Sequence, residues 1–269
     1  VDSYRAPGAN TQRIDIGYTA ENFSLVQDRL KTSVPIETQE EAEIPGIDLR
    51  AESVDAAREL QERKLEDEVA KLLTNPANYP TGHAPTIAAA DKWDASTSNP
   101  ILQILNARSV IRRKIGRTPN TLFFCGEDAW IAWRENQYVK AQIQYSERAI
   151  VTEDITGNIV MLDVTVGTDI KKEGSGMIDI WAQNGKNVIL AWVPSNPLSP
   201  EDSSSNLAIG KRSNRNPAFA YTYVLNGTPY VEQGEYVKDT ASWEDYVTYE
   251  RQPFITMPQA GYLFKDVVA

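Results

Sequence analysis

Residues 50–74 read RAESVDAARELQERKLEDEVAKLLT, and the fold turns on this stretch. Val54, Ala57, Leu60, Leu65, Val69, Leu72 and Leu73 recur near the helical period, so the spacing predicts one long helix with this stripe packed into a core. Glu59 with Arg63, Lys64 with Glu68 and Asp67 with Lys71 stand four residues apart, where opposite charges meet on a helix surface. Thr74-Asn75-Pro76 ends the run, because a residue before proline is pushed out of the helical region. At 1.5 Å per residue the rod is roughly 35 Å long.

Upstream, the period changes. Residues 1–13 carry Pro7, Gly8, Asn10 and Arg13 with little apolar content and read as an extended arm without its own core. The first residue is Val1 rather than Met, which points to an N-terminus that has been removed. Over 14–48, Ile14, Ile16 and Tyr18 alternate with polar residues, and Phe23 and Leu25 do so again. Val34 and Ile36 continue the pattern before the acidic set Glu37, Glu40, Glu41 and Glu43. The period of two predicts a long two-stranded hairpin with a polar second arm. An isolated hairpin is marginal in water, so this one is expected to lean on a neighbouring subunit.

Downstream, 75–99 is loop-like, with Pro76, Pro80, Gly82 and Pro85. Asn99-Pro100 opens a second helix that runs to about Ile115, with Gly116 suited to its C-terminal cap. A short apolar strand is expected at 121–125, then short helices at 127–135 and 136–144. From Ile150 the pattern alternates, and a strand is expected over 159–166. Asn184-Gly185 predicts a hairpin between 178–182 and 188–193, and Asn226-Gly227 a second one, because that pair accepts the positive φ of a type I′ turn. Residues 194–217 read as a long loop, and 246–255 and 262–267 as closing strands. The class is α+β.

The 269 residues suit one large domain or two modest ones, and 41% hydrophobic with 24% charged residues is ordinary for a folded protein. A net charge of −10 argues against a generally basic surface for nucleic acid. The single cysteine, Cys125, excludes an intrachain disulfide, and with His83 as the single histidine a zinc site lacks ligands. No apolar run reaches the 18 residues of a membrane span. A Ser-His-Asp triad would have to use His83, which stands in a Pro/Thr/Gly loop and reads as an ordinary surface histidine. Cys125 ends an apolar strand and reads as a buried, inert thiol. Gly174-Ser175-Gly176 lacks the Lys-Ser/Thr of a phosphate loop and reads as a turn. No enzyme activity and no cofactor are expected.

Several stretches together resemble the capsid proteins of tailed bacteriophages with the Hong Kong 97 fold. They are Arg13-Ile14-Asp15-Ile16-Gly17-Tyr18, Phe23-Ser24-Leu25 and Pro45-Gly46-Ile47-Asp48 upstream of the long helix. Thr74-Asn75-Pro76-Ala77-Asn78-Tyr79, Asp91-Lys92-Trp93, Ser98-Asn99-Pro100 and Ile115-Gly116-Arg117-Thr118-Pro119-Asn120 follow it. Val247-Thr248-Tyr249-Glu250-Arg251-Gln252-Pro253 and Gly261-Tyr262-Leu263-Phe264-Lys265-Asp266 close the chain. The resemblance implies an N-terminal arm (1–13) and an extended loop (14–48). It implies a peripheral domain (49–98 and 219–252, with a spine helix at 50–74) and an axial domain (99–218 and 253–269). It implies self-assembly into hexamers and pentamers of an icosahedral virion shell, formed in the host cytoplasm around double-stranded DNA that is not read by sequence. Scaffold, portal and decoration proteins are the further partners it implies, with no membrane. The alternative is an encapsulin-like nanocompartment shell.

Within that reading, Glu37, Glu40, Glu41 and Glu43 are expected to pair across subunits with arginines such as Arg58, Arg63, Arg112 or Arg113, and Arg29 and Lys31 to do the same in reverse. Lys211, Arg212 and Arg215 form a basic cluster in the axial loop, able to touch DNA or a neighbour. Some members of the fold weld subunits through a Lys–Asn bond. Lys31 could match the lysine, but no asparagine follows Asn226, so self-catalysed cross-linking is not expected. Deleting 14–45 is expected to leave a folded subunit that does not assemble.

Overall fold

In the computed structural model, which describes residues 24–43, 46–144, 151–174, 176–181, 186–194, 218–225 and 229–269, the chain enters on strand β1 (Val26–Pro35). It turns into helix α1 (Ile36–Glu43) and then the long helix α2 (Leu49–Leu73). Beyond α2 follow α3 (Pro100–Ile115), β2 (Thr121–Phe124), α4 (Glu127–Glu135), α5 (Gln137–Ile143), α6 (Glu153–Val160) and β3 (Asp163–Val166). Then come β4 (Ile170–Glu173), β5 (Gly176–Asp179), β6 (Val188–Ala191), β7 (Ala220–Val224), β8 (Tyr230–Val237), β9 (Ser242–Ile255) and β10 (Gly261–Phe264).

The two principal helices start and stop where local chemistry dictates. Asp48 caps α2 by accepting from the N–H groups of Arg50 and Ala51, each at 3.1 Å. At the other end the Thr74 hydroxyl donates to the Ala70 carbonyl at 2.7 Å. Asn99 caps α3 through the Leu102 N–H at 3.1 Å, Pro100 occupies the first turn, and Gly116 closes it at φ 70°.

β9 organises the first sheet. β1 pairs antiparallel along one edge, from Val26 opposite Arg251 to Pro35 opposite Ser242. β8 and β7 lie end to end along the other edge, against 242–248 and 251–255. α2 lies across this sheet, with Ala57, Gln61 and Ala70 buried in the seam.

The second sheet runs β10-β6-β2-β3, antiparallel except for the β2–β3 pair. β6 is buried throughout. Trp93, Ile104, Ile111, Leu122, Phe124, Trp133 and Phe264 form the core between this sheet and helices α3 to α5. A second cluster, with Ala70, Tyr79, Cys125, Trp181, Phe219 and Leu263, joins the C-terminal end of α2 to this sheet. The β4–β5 ribbon turns at Gly174 (φ 59°) and docks on α2 through Lys171 to Asp67 and Trp181 to Glu66.

Several expectations are corrected. The described part of 14–48 is not a hairpin: β1 pairs with β9, over 200 residues away in sequence, and the polar second arm is helix α1. β1 is thus a structural strand, with Val34 buried, so deletion of 14–45 would strip an edge from the sheet. The strand expected at 159–166 divides into the end of α6 and β3. Thr152 caps that helix, with Glu153 and Asp154 in its first turn. The strands flanking Asn184-Gly185 belong to different sheets, β5 with β4 and β6 with β2 and β10. Those flanking Asn226-Gly227 run in the same direction along β9, so they form no hairpin. In both cases pairing with other strands overrides the local turn preference. Leu60, expected in the core, is 59% exposed, because the helix meets the sheet through its small residues and Gln61. Lys64 pairs with Asp28 at 2.9 Å rather than with Glu68.

Candidate functional site

The face of α2 turned to the first sheet is held by polar contacts. Gln61 donates its side-chain amide to the Asp28 carbonyl at 3.1 Å and the Val247 carbonyl at 2.9 Å, tying the helix to β1 and β9 at once. Arg50 grips Asp245 with two bonds of 2.6 and 2.7 Å and lies over the Trp243 ring, 4.5 Å from its centre. The Asp245 hydrogen bond holds the Arg50 guanidinium above its ordinary pKa. Gly234, in a bulge of β8, makes room for the pair: a Cβ there would fall 2.1 Å from each partner. Deeper, Arg251 is 2% exposed and reaches Asp28 at 3.4 Å and Glu68 at 3.3 Å, while its Nε and Nη1 have no partner among the described residues. Arg251 therefore links β1, β9 and α2 with part of its donor capacity unused.

At the far end of α2, burial pushes the Glu66 carboxyl above its ordinary pKa, and the hydrogen bond its protonated form donates to Asp169 adds to this. Burial also opposes ionisation of neighbouring Asp67, but Lys171 and Lys71 outweigh it and hold that group low.

The sequence-derived site residues fall into three groups. Arg29 and Lys31 find partners within their own chain. Arg29 bonds Glu232 at 2.5 Å over the Tyr246 ring, and Lys31 bonds Glu244 at 2.9 Å, holding its carboxyl low. Arg58 faces Asp55 at 3.8 Å. Arg63 is exposed and in no ion pair among the described residues. In the second group, Glu37, Glu40, Glu41, Arg112 and Arg113 are in no ion pair among the described residues. Glu37, Glu40 and Glu41 share one exposed face of α1, which has no basic residue in its last turn. Glu43 lies on the same helix. Arg112 and Arg113 stand exposed on the last turn of α3, next to Lys114. The third group, Lys211, Arg212 and Arg215, lies outside the described residues.

Sequence reasoning missed the apolar half of the α3 face. Leu102 and Leu105, apolar positions of the second helix, are 54% and 43% exposed. The signal was present: Ile104, Ala107 and Ile111 form a separate buried stripe that already supplies the core face. His83 is also corrected. It is buried, with Nδ1 2.9 Å from the Gly261 carbonyl, because the 75–99 segment folds under β10. Cys125 is buried, and burial pushes its thiol far up. Among the described residues no group of three His, Cys, Asp or Glu side chains is placed to hold a metal, and no helix is long and apolar enough to cross a membrane.

No family model matches the chain. It is 28% identical over 254 residues to the major capsid protein of Burkholderia phage BcepMu, covering 91% of this chain and 75% of that protein. The crystal structure of a phage-related protein from Bordetella bronchiseptica RB50 is 30% identical. It superposes with a TM-score of 0.78 over 99% of this chain and 82% of its own. Two further structures share the fold alone. Mycobacterium phage Che8 has 10% identity, a TM-score of 0.52, and coverage of 94% and 78%. The SrpI encapsulin of Synechococcus elongatus has 12% identity, a TM-score of 0.50, and coverage of 91% and 75%.

Proposed function

The chain belongs to the major capsid proteins of bacteriophages, a structural component of the virion, and from this we propose that it builds an icosahedral shell of hexamers and pentamers around double-stranded DNA. The fold is then of the Hong Kong 97 type. The first sheet with α2 forms the peripheral domain, and the second sheet with α3 to α6 forms the axial domain. The region around α1 supplies contacts to neighbours, and the N-terminal arm (1–13) lies outside the described residues. Assembly takes place in the host cytoplasm, and scaffold, portal and decoration proteins are its accessory partners.

One observation carries this reading: likeness to a phage major capsid protein extends over 91% of the chain, so no large part is left for another activity. The charge distribution agrees. A net charge of −10 gives a wall that does not grip a packaged polyanion and lets it leave. The encapsulin reading rests on fold likeness at 12% identity, and the phage reading takes precedence over it.

Electron microscopy of the purified native assembly tests the proposal. Closed icosahedral particles containing nucleic acid are the expected result. Empty particles loaded with protein cargo would favour the nanocompartment, and a discrete monomer under all conditions would overturn the shell reading.

A further inference from the structure

α3 carries more than its core stripe. Leu102, Leu105, Ser109, Arg112 and Arg113 follow each other at helical spacing and share one face, apolar at its N-terminal half and doubly cationic at its end. Both leucines are exposed. The two arginines make no ion pair among the described residues.

α1 presents the complement. Glu37, Glu40 and Glu41 occupy positions i, i+3 and i+4, so three carboxylates crowd one exposed face. Like charges four apart destabilise a helix. Glu40 and Glu41 also lie toward the negative end of the helix dipole, with no basic residue in the last turn to offset them. Cations supplied from outside would relieve both penalties. One chain does not bring the two faces together: α1 packs on β1 and α2, whereas α3 packs on α5, α6 and the second sheet.

We propose that the Leu102–Arg113 face of α3 is the seat for the acidic face of α1 from a second copy of this chain. Arg112 and Arg113 meet the carboxylates, and Leu102 and Leu105 are covered by the aliphatic stems around them. The contact is heterologous, one surface against a different surface of the next copy, so it propagates around a ring until the ring closes. Arg58 and Arg63, on α2, have no part in it. The inference rests on the shell reading and specifies which faces meet within it.

The test compares four full-length chains: unaltered, E37K/E40K/E41K, R112E/R113E and the combination of all five reversals. Each is purified and followed by circular dichroism, sedimentation and electron microscopy. Each single-patch reversal is expected to keep its fold and lower the assembled fraction by about tenfold or more, and the combination to restore it. If a reversal unfolds the subunit, the neutral set E37Q/E40Q/E41Q and R112Q/R113Q replaces it. There, the two changes together should cost no more assembly than either alone. Particles forming normally from either altered patch would overturn the contact, as would failure of the combination to restore assembly. R112E/R113E particles that form normally but lose their nucleic acid would also overturn it and assign the face to DNA. If the unaltered chain forms no particles, the shell reading itself fails and the contact falls with it.

Discussion

At the scale of single residues, the seam under α2 is set by close approaches that leave no slack. Gly234→Ala would drive a methyl between Arg50 and Asp245, and Asp245 is buried. The expected cost is about 2 kcal/mol, that of a charged hydrogen bond broken at a half-buried site. Urea unfolding of the subunit measures it, and an unchanged midpoint would rule the pair out as a fastening. Glu66 makes an opposite case. Its folded pKa is raised, so the folded state holds a proton that the unfolded state releases. Stability from this group is therefore complete below the unfolded value and is lost as pH rises through the folded one. Glu66→Gln keeps an oxygen for the Trp181 indole and removes the titration. The expected outcome is a higher Tm at pH 7 and a smaller gain on acidification toward pH 4.5. Profiles of Tm against pH that coincide for the two proteins would refute it. Gly234 and Glu66 were invisible as special positions in the sequence, because their partners lie 11 and 115 residues away or on another element altogether.

At the scale of elements, legibility followed locality. The ends of α3 were readable because their signals (Asn99, Pro100 and Gly116) lie at the helix and its flanks. α2 was readable in length but not in orientation. Its seam is chosen by Gln61 finding two strand carbonyls, and nothing near Gln61 announces them. The alternation read over 14–48 pointed to extended chain, and β1 is a strand within it, yet its partner lies at the other end of the chain, and local pattern cannot name a distant partner. The same limit explains both missed hairpins. For the candidate site, charge type was legible at α1 and α3, while the fate of each charge was not: Arg29 and Lys31 are paired in place, and Arg112 and Arg113 are in no ion pair among the described residues. Because β1 is built into the first sheet, removing residues 14–45 is expected to expose the β9 edge and release α2. Amide hydrogen exchange at 242–251 would rise to that of an unprotected edge, and retained protection there would contradict the role of β1 as a structural strand.

For the whole molecule, the two sheets are joined by a shared cluster and by several passages of chain, among them 74–99 and the short link from Ile255 to Gly261. Phe219 packs beside Tyr79 and against Gly261, where a Cβ would sit 2.2 Å from the ring. Phe219→Ala is expected to cost about 3–5 kcal/mol. It should also uncouple the halves, so that near- and far-ultraviolet dichroism cease to melt together. Coincident transitions in that variant would place the coupling elsewhere, with the contacts of Lys171 and Trp181 on α2 as the next candidates. The long register of β1 on β9 gives the subunit a direction of strength. Tension applied along β1 loads every ladder bond from Val26 to Pro35 in parallel, so the strand yields only by shearing all of them at once. Tension across it opens the same bonds in succession, like a peeled tape. A sheet built this way resists stretching along its strands far better than being pulled across them.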